Sequence, residues 1–162
     1  MRVVFLDRDG VINKKIENGY VLKWAEFEFL PNIGEAIKLL NNRGIPVYLI
    51  SNQSAVNRGC MSPDDLAAIN QHMLRELAEK GAWIDDLFIC PHRPDEHCDC
   101  RKPGTGLFEQ AAAKHEIDFA GSWFIGDSPS DMAAGQKAGC QTYQLKKDEK
   151  LVDVIKRILL DW

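Results

Sequence analysis

The sequence predicts an α/β protein built on a mostly parallel sheet with helices on both faces. Three observations lead there. Short apolar runs alternate with longer segments of helical periodicity along the 162 residues. The apolar runs are continuous rather than alternating, as in strands buried on both faces. Each run also ends on chemistry-bearing residues: Asp7 after Leu6, Ser51 after Ile50, Cys90 after Ile89, and Gly126-Asp127 after Ile125. In an open parallel sheet the ligand sits outside the carboxyl ends of the strands, so these positions should gather along one edge.

The elements follow in order. Residues 3–6 (VVFL) read as the first strand. Pro31 is expected to open a helix at its first turn, with Ile33, Ile37 and Leu40 at helical spacing and Gly44 as the stop. Residues 47–50 (VYLI) form the second strand. In Ser62-Pro63-Asp64-Asp65 a capping serine precedes a first-turn proline and an acid three residues on. Leu66, Ile69, Met73 and Leu77 then share one helix face, and Gly81 follows. Residues 87–89 give a third strand and 107–115 a helix; residues 123–125 give a fourth strand and 130–138 a helix. A last strand is expected at 141–145, with a closing amphipathic helix carrying Leu151, Val154, Ile155, Ile158 and Leu159. There is no repeat, low-complexity segment or linker, so one domain over residues 1–162 is expected.

Hydrophobic content of 45% and charged content of 27% are ordinary for a soluble globular protein. A net charge of −4 argues against a nucleic-acid partner, which needs a basic field, but permits a small anion held by a few local cations. The apolar run at 3–6 is too short for a signal peptide or membrane span, so the expected setting is cytoplasmic, with no membrane partner, and the expected form is a monomer. In the cytosol thiols stay reduced, and clustered cysteines are more often metal ligands than disulfides.

The stretch FLDRDGVIN places Asp7 and Asp9 two apart with Gly10 behind them. This can be a polar turn. Asp127 and Asp131 at the same edge make it more, because crowded acids repel unless a cation shares them. Hard carboxylate ligands suit Mg²⁺ together with a substrate phosphate. A carboxylate can also attack phosphorus, provided that a metal, an opposing cation and a small hydroxyl donor are at hand. Asp127, Lys102 and Ser51 are available for those roles.

Asp7-x-Asp9-Gly10, Ser51-Asn52, Lys102 and Gly126-Asp127-(x)3-Asp131, in that order, resemble the four motifs of the haloacid dehalogenase superfamily. The resemblance implies a Rossmann-like three-layer sandwich and phosphate transfer through an aspartyl-phosphate. Asp7 is then the nucleophile and Asp9 the acid and base. Asp7, the Asp9 carbonyl and Asp127 hold Mg²⁺, while Ser51 and Lys102 bind phosphoryl oxygens. Asp131 fits a supporting or helix-start role better than that of a ligand. No large cap domain fits between the motifs, so loops should cover the site. Phospho-accepting receiver domains share many of these parts, but their accepting aspartate follows a later strand. Here the second strand ends on Ser51-Asn52, with no acid.

CPHRPDEHCDCRKP holds two ligand pairs, Cys90-x-His92 and Cys98-x-Cys100. Thiolates and an imidazole suit tetrahedral Zn²⁺, although a reduced cysteine cluster or a disulfide could use the same residues. His97 competes with His92 but abuts Cys98. Followed by Arg101-Lys102-Pro103, the pattern resembles the branch containing heptose-1,7-bisphosphate 7-phosphatases and histidinol-phosphate phosphatases. That resemblance implies a closed, structural zinc-stabilised loop that aims Arg101 and Lys102.

SNQSAVNRG resembles the heptose version, with a serine after Asn52-Gln53 and Arg58-Gly59 beyond. The histidinol version tends to carry an acid where Ser54 stands. Asn18-Gly19-Tyr20-Val21 likewise resembles the heptose group, and can also be a plain turn. By this resemblance Glu17, Asn18, Gly19, Tyr20, Ser51, Asn52, Gln53, Ser54, Arg101, Lys102 and Ser128 contact a small sugar phosphate. Two departures stand out: Ser128 replaces a common lysine, and Gly104-Thr105-Gly106 replaces a proline-containing stretch.

Overall fold

In the computed structural model, which describes residues 1–162, alternate residues of the three central strands feed two separate apolar cores. Val4 and Leu6 of β1 (Val4–Leu6) join one, while Val3 and Phe5 join the other. The side-chain period of two sends neighbours to opposite faces, so a run without polar residues is what a doubly covered strand requires. The remaining strands are β2 (Val47–Asn52), β3 (Asp86–Cys90), β4 (Trp123–Gly126) and β5 (Gln141–Gln144). All pair in parallel, in the order β3-β2-β1-β4-β5.

The helices are α1 (Ile33–Asn41), α2 (Pro63–Glu79), α3 (Gly106–Lys114), α4 (Pro129–Ala138) and α5 (Leu151–Ile158). Apolar faces of α1, α2 and α5 share the larger core with Val4, Leu6, Val47, Leu49 and Ile125. Leu107, Phe108 and Ala111 of α3 and Ala134 of α4 pack with Val3, Phe5, Tyr48, Ile50, Phe88 and Phe124 on the other face. The result is a three-layer sandwich. No helix is long and apolar enough to cross a membrane.

Two expectations need correction. Pro31 does not open α1. The helix starts at Ile33 behind Asn32, whose φ of 61° is left-handed, a conformation asparagine tolerates, so the chain turns between the proline and the helix. Ser51 and Cys90 do not follow their strands but lie inside them. The ladder continues through Ser51 with Ile89 and Asn52 with Cys90. The α2 start is as expected: Ser62 Oγ accepts from Asp65 N–H, and the Asp65 carboxylate accepts from Ser62 N–H.

Between β1 and α1 the chain forms a cover without a cap domain. Its one helical piece is a 3-10 turn, Trp24–Glu26. Trp24 stacks on His72 of α2 at 3.9 Å between ring centroids and on Phe27 at 4.7 Å. These contacts pin the cover to α2 and hold Gly19 and Tyr20 over the β1 end of the sheet.

Candidate active site

β1 leads outward to β2 and β3 on one side, and β4 and β5 lie on the other, so the order reverses between β1 and β4. Ligands bind at such a switch point, outside the strand ends. Asp7 and Asp9 leave β1 there, and Asp127 leaves β4 beside them. Gly10 lets the two chains meet. It has φ +89°, and a Cβ on it would collide with the Asp127 carboxylate.

The carboxylates of Asp7, Asp127 and Asp131 lie close enough to share a cation. Lys102 Nζ sits 3.0 Å from Asp7 Oδ1 and 2.7 Å from Asp131 Oδ1, and also donates to the Ile50 carbonyl at 3.0 Å. The Arg8 N–H donates to the same Asp7 Oδ1 at 2.9 Å, so Oδ2 receives no protein donor. Burial pushes the Asp7 carboxyl up to about 7, with Asp131 and Asp9 adding to the rise and Lys102 opposing it. Burial likewise raises Asp127. Burial works against the Asp131 anion too, yet Lys102 and the N–H groups of Asp127 and Ser128 outweigh it and hold its pKa low. Lysine alone therefore leaves the cluster short of positive charge, and a hard divalent cation fits this donor set.

Asp9 points into a different network. Its carboxylate accepts from Asn13 Nδ2 at 2.8 Å, from Gln53 Nε2 at 2.6 Å and from Arg8 Nη2 at 3.2 Å on both oxygens. Burial opposes its charge, but Arg8 and the two amides prevail and lower its pKa. Arg8 is itself without exposure, held by Gln53 and by Asn70 of α2 and lying 5.9 Å from the Phe27 ring centroid. With its side chain so engaged, the Asp9 carboxylate stands outside the Asp7, Asp127 and Asp131 cluster.

The cysteine loop closes on itself. Cys90 Sγ lies 3.3 Å from His92 Nδ1 and 3.6 Å from Cys98 Sγ, and His92 Nδ1 lies 3.2 Å from Cys100 Sγ. Tetrahedral Zn²⁺ with bonds of about 2.3 Å to sulfur and 2.0 Å to nitrogen gives edges of roughly 3.5–3.8 Å, close to these distances. Burial pushes the Cys90 and Cys100 thiols up, so thiolates there need a cation. All five cysteines are free, and His97 stands apart at φ 51°. The four expected ligands are thus compatible with a structural zinc. Gly106 lets α3 start hard against the clip: its N–H donates to Asp99 O at 3.0 Å, where a Cβ would sit 2.6 Å from that oxygen. This gives the unusual Gly104-Thr105-Gly106 a packing role.

Lys102 is aimed from a second side as well. Asn52 Oδ1 accepts from its N–H at 3.0 Å, and Asn52 Nδ2 donates to its carbonyl at 3.2 Å. Ser128 also has a structural use, as N-cap of α4. The positive charge beside Asp127 comes instead from Lys15, 3.4 Å away.

A cavity of about 310 Å³ opens above the carboxylates. Of the expected contacts, Asp7, Asp9, Gly19, Tyr20, Asn52, Gln53, Ser54, Arg101, Lys102, Asp127 and Ser128 line it. Glu17, Asn18 and Ser51 do not. Asn18 occupies the left-handed corner of its turn, and Glu17 lines a neighbouring cavity of about 780 Å³ with Lys14 and Glu28. Ser51 stays in the β2 ladder without exposure, its Oγ accepting from Gln53 Nε2 at 2.9 Å. The structure adds Lys15, Arg58 and Asp131 to the walls, and Arg8 and Asn13 beneath them.

A family model described as HAD-hydrolase-like matches residues 99–157. The D-glycero-beta-D-manno-heptose-1,7-bisphosphate 7-phosphatase of Haemophilus ducreyi is 37% identical, covering 93% of this chain and 86% of that one. The Helicobacter pylori enzyme of the same name is 42% identical, covering 85% and 79%. The chain belongs to the heptose-1,7-bisphosphate 7-phosphatase family of HAD-like hydrolases. Among solved structures, the D,D-heptose 1,7-bisphosphate phosphatase of B. bronchiseptica matches with a TM-score of 0.92 and 32% identity over all of both chains; it was crystallised with magnesium and phosphate. That heptose phosphatase, on this fold, takes magnesium and phosphate.

Proposed function

We propose that the chain is a magnesium-dependent phosphatase of the cytoplasm that removes the 7-phosphate of D-glycero-D-manno-heptose 1,7-bisphosphate through an aspartyl-phosphate. The observation that carries this reading is Asp7, whose Oδ1 is held by Lys102 and Arg8 N–H while Oδ2 has no protein donor. Oδ2 attacks phosphorus. As the Oδ2–P bond forms, the bond from phosphorus to the C7 oxygen breaks, and Asp9 gives that oxygen its proton. Water then attacks phosphorus, Asp9 takes the water's proton, and the Asp7 carboxylate leaves with inorganic phosphate released. Asp9 starts with a lowered pKa, but an incoming phosphate dianion opposes the lowering, since like charge favours the protonated form. Mg²⁺ held by Asp7, Asp127 and the Asp9 carbonyl supplies, when bound, further charge neutralisation at the phosphoryl oxygens. Lys102 provides the protein's own share from its fixed place under the cavity.

Arg101 lines the cavity one residue before Lys102, with Nη1 donating to His92 O at 3.3 Å. It fits the phosphate that does not react. Arg101→Ala is expected to raise KM for the bisphosphate by about 2 kcal/mol, or roughly 30-fold, and to lower kcat far less, as for a charged hydrogen bond made equally in ground and transition states. Steady-state kinetics on the bisphosphate and on a small generic phosphate ester checks this: equal losses on both would place Arg101 at the reacting phosphate instead.

The test of the function is a phosphate-release screen under Mg²⁺ with heptose bisphosphate, histidinol phosphate and other sugar phosphates. The bisphosphate is expected to give the highest kcat/KM. Preference for histidinol phosphate would overturn the reading, and the absence of an acid at Ser54 argues against that amine.

A further inference from the structure

Four cations line the cavity: Lys15, Arg58, Arg101 and Lys102. The two lysines are already matched by acids, Lys15 by Asp127 and Lys102 by Asp7 and Asp131. Neither arginine has a carboxylate within ion-pair distance. Arg58 is nonetheless fixed: its Nε donates to the buried Ser54 Oγ at 3.3 Å, and its N–H to Ser54 O at 3.0 Å. That leaves both terminal nitrogens of its guanidinium without a protein acceptor. A planar fork at the cavity wall, exposed and without a carboxylate at ion-pair distance, is suited to a phosphate.

The turn that carries Arg58 is stitched to the cysteine loop. Asn57 Nδ2 donates to both Glu96 oxygens at 3.1 and 3.2 Å, Arg93 Nη1 donates to Asn57 O at 3.2 Å, and Asn57 N–H donates to Pro91 O at 3.3 Å. The loop that delivers Arg101 therefore also holds the turn that delivers Arg58.

We propose that Arg58 is a specificity-determining residue that, with Arg101, grips the phosphate left on the sugar. The proposal rests on the bisphosphatase reading above and deepens it by assigning the non-reacting phosphate to a two-arginine subsite.

The experiment compares kcat/KM for heptose 1,7-bisphosphate with that for heptose 7-phosphate, which lacks the gripped group, in wild type, Arg58→Ala and Arg58→Lys. The ratio of bisphosphate to monophosphate is expected to fall about 30-fold in Arg58→Ala, as for loss of a charged hydrogen bond, and to fall through KM rather than kcat. Arg58→Lys, which keeps the charge but not the fork, should fall less. Zinc content and thermal midpoint, measured alongside, should match wild type. A wild type that prefers the bisphosphate and an Arg58→Ala variant that keeps the whole preference would overturn the role of Arg58 alone. A wild type without preference would overturn both this proposal and the bisphosphatase reading. Equal loss on the two substrates would place Arg58 in the turn's fold or at the reacting phosphate, and the proposal fails.

Discussion

Asp7→Asn is expected to hydrolyse heptose bisphosphate slower than wild type by a factor on the order of 10⁴ or more, the scale seen when a covalent nucleophile is removed. The amide keeps the shape of the carboxylate and can still accept from Arg8 N–H and Lys102 Nζ. It has no charge to bring to phosphorus and forms no acyl phosphate. The fold should survive. Burial already works against the Asp7 anion, so a neutral side chain relieves a cost, and Lys102 keeps Asp131 as its partner. The metal-free variant should therefore melt no lower than metal-free wild type. Asp9→Asn should behave differently. Its amide cannot protonate the leaving oxygen or take the water's proton, so both halves of the reaction slow, and a phosphorylated chain should persist after a single turnover. Phosphate release, intact-mass measurement and thermal unfolding check these points together. Near-normal turnover by Asp7→Asn would mean that another group attacks phosphorus.

The strands were legible because a strand buried on both faces cannot hide a polar residue, and 3–6, 47–50 and 123–125 contain none. The convergence of Asp7, Lys102 and Asp127 was legible for a related reason: the parallel topology puts every strand's end on one edge. What stayed hidden depends on contacts between segments distant in the chain. Arg8 stands between two acids in the sequence and reads as a surface charge, yet it is buried because Asn70, 62 residues on, Gln53 and Phe27 close around it. Lys15 meets Asp127 across 112 residues, and no local pattern marks such a pair. Arg58 was visible as part of SNQSAVNRG, but its free guanidinium shows only when the acids around the cavity are matched to their cations. Glu17 and Asn18 do not line the cavity in the structure, and Asn18 holds the left-handed corner of their turn at φ 54°, which no local pattern announces. Ser51 was expected at the strand's exit, and two further rungs of ladder keep it inside.

Replacing Cys100 by serine, or stripping zinc with a strong chelator, is expected to lower kcat/KM by about two to three orders of magnitude, with no rescue by added Mg²⁺. The size follows from what holds Lys102. Without a metal, its place depends on the two Asn52 hydrogen bonds, a third to the Ile50 carbonyl, and its ion pairs with Asp7 and Asp131. The three hydrogen bonds contribute about 1 kcal/mol each. Against them stands the ordering of residues 91–101, at roughly 1–2 kcal/mol per residue of backbone entropy, or more than 10 kcal/mol in all. Little of that loop is buried apolar surface, since Arg93, Pro94, Asp95, Glu96 and His97 are half-buried or exposed. A structural zinc can supply roughly 10–16 kcal/mol, which is the right size to offset the loop's entropy. Its loss frees the loop, carries Arg101 away, loosens the Asn57 stitch and leaves Lys102 sampling positions off Asp7. A misplacement of about 1 Å near the reacting atoms can already cost about 10²-fold. Elemental analysis of reduced protein should find one zinc per chain, retained when Mg²⁺ is removed by a weak chelator. Hydrogen exchange should show 91–101 opening in Cys100→Ser while β1 and β4 stay protected. A zinc-free wild type with full activity, or a disulfide from Cys90 to Cys98 or Cys100 in protein kept reduced throughout, would remove the clip from the mechanism and leave the aim of Lys102 to Asn52, the Ile50 carbonyl, Asp7 and Asp131.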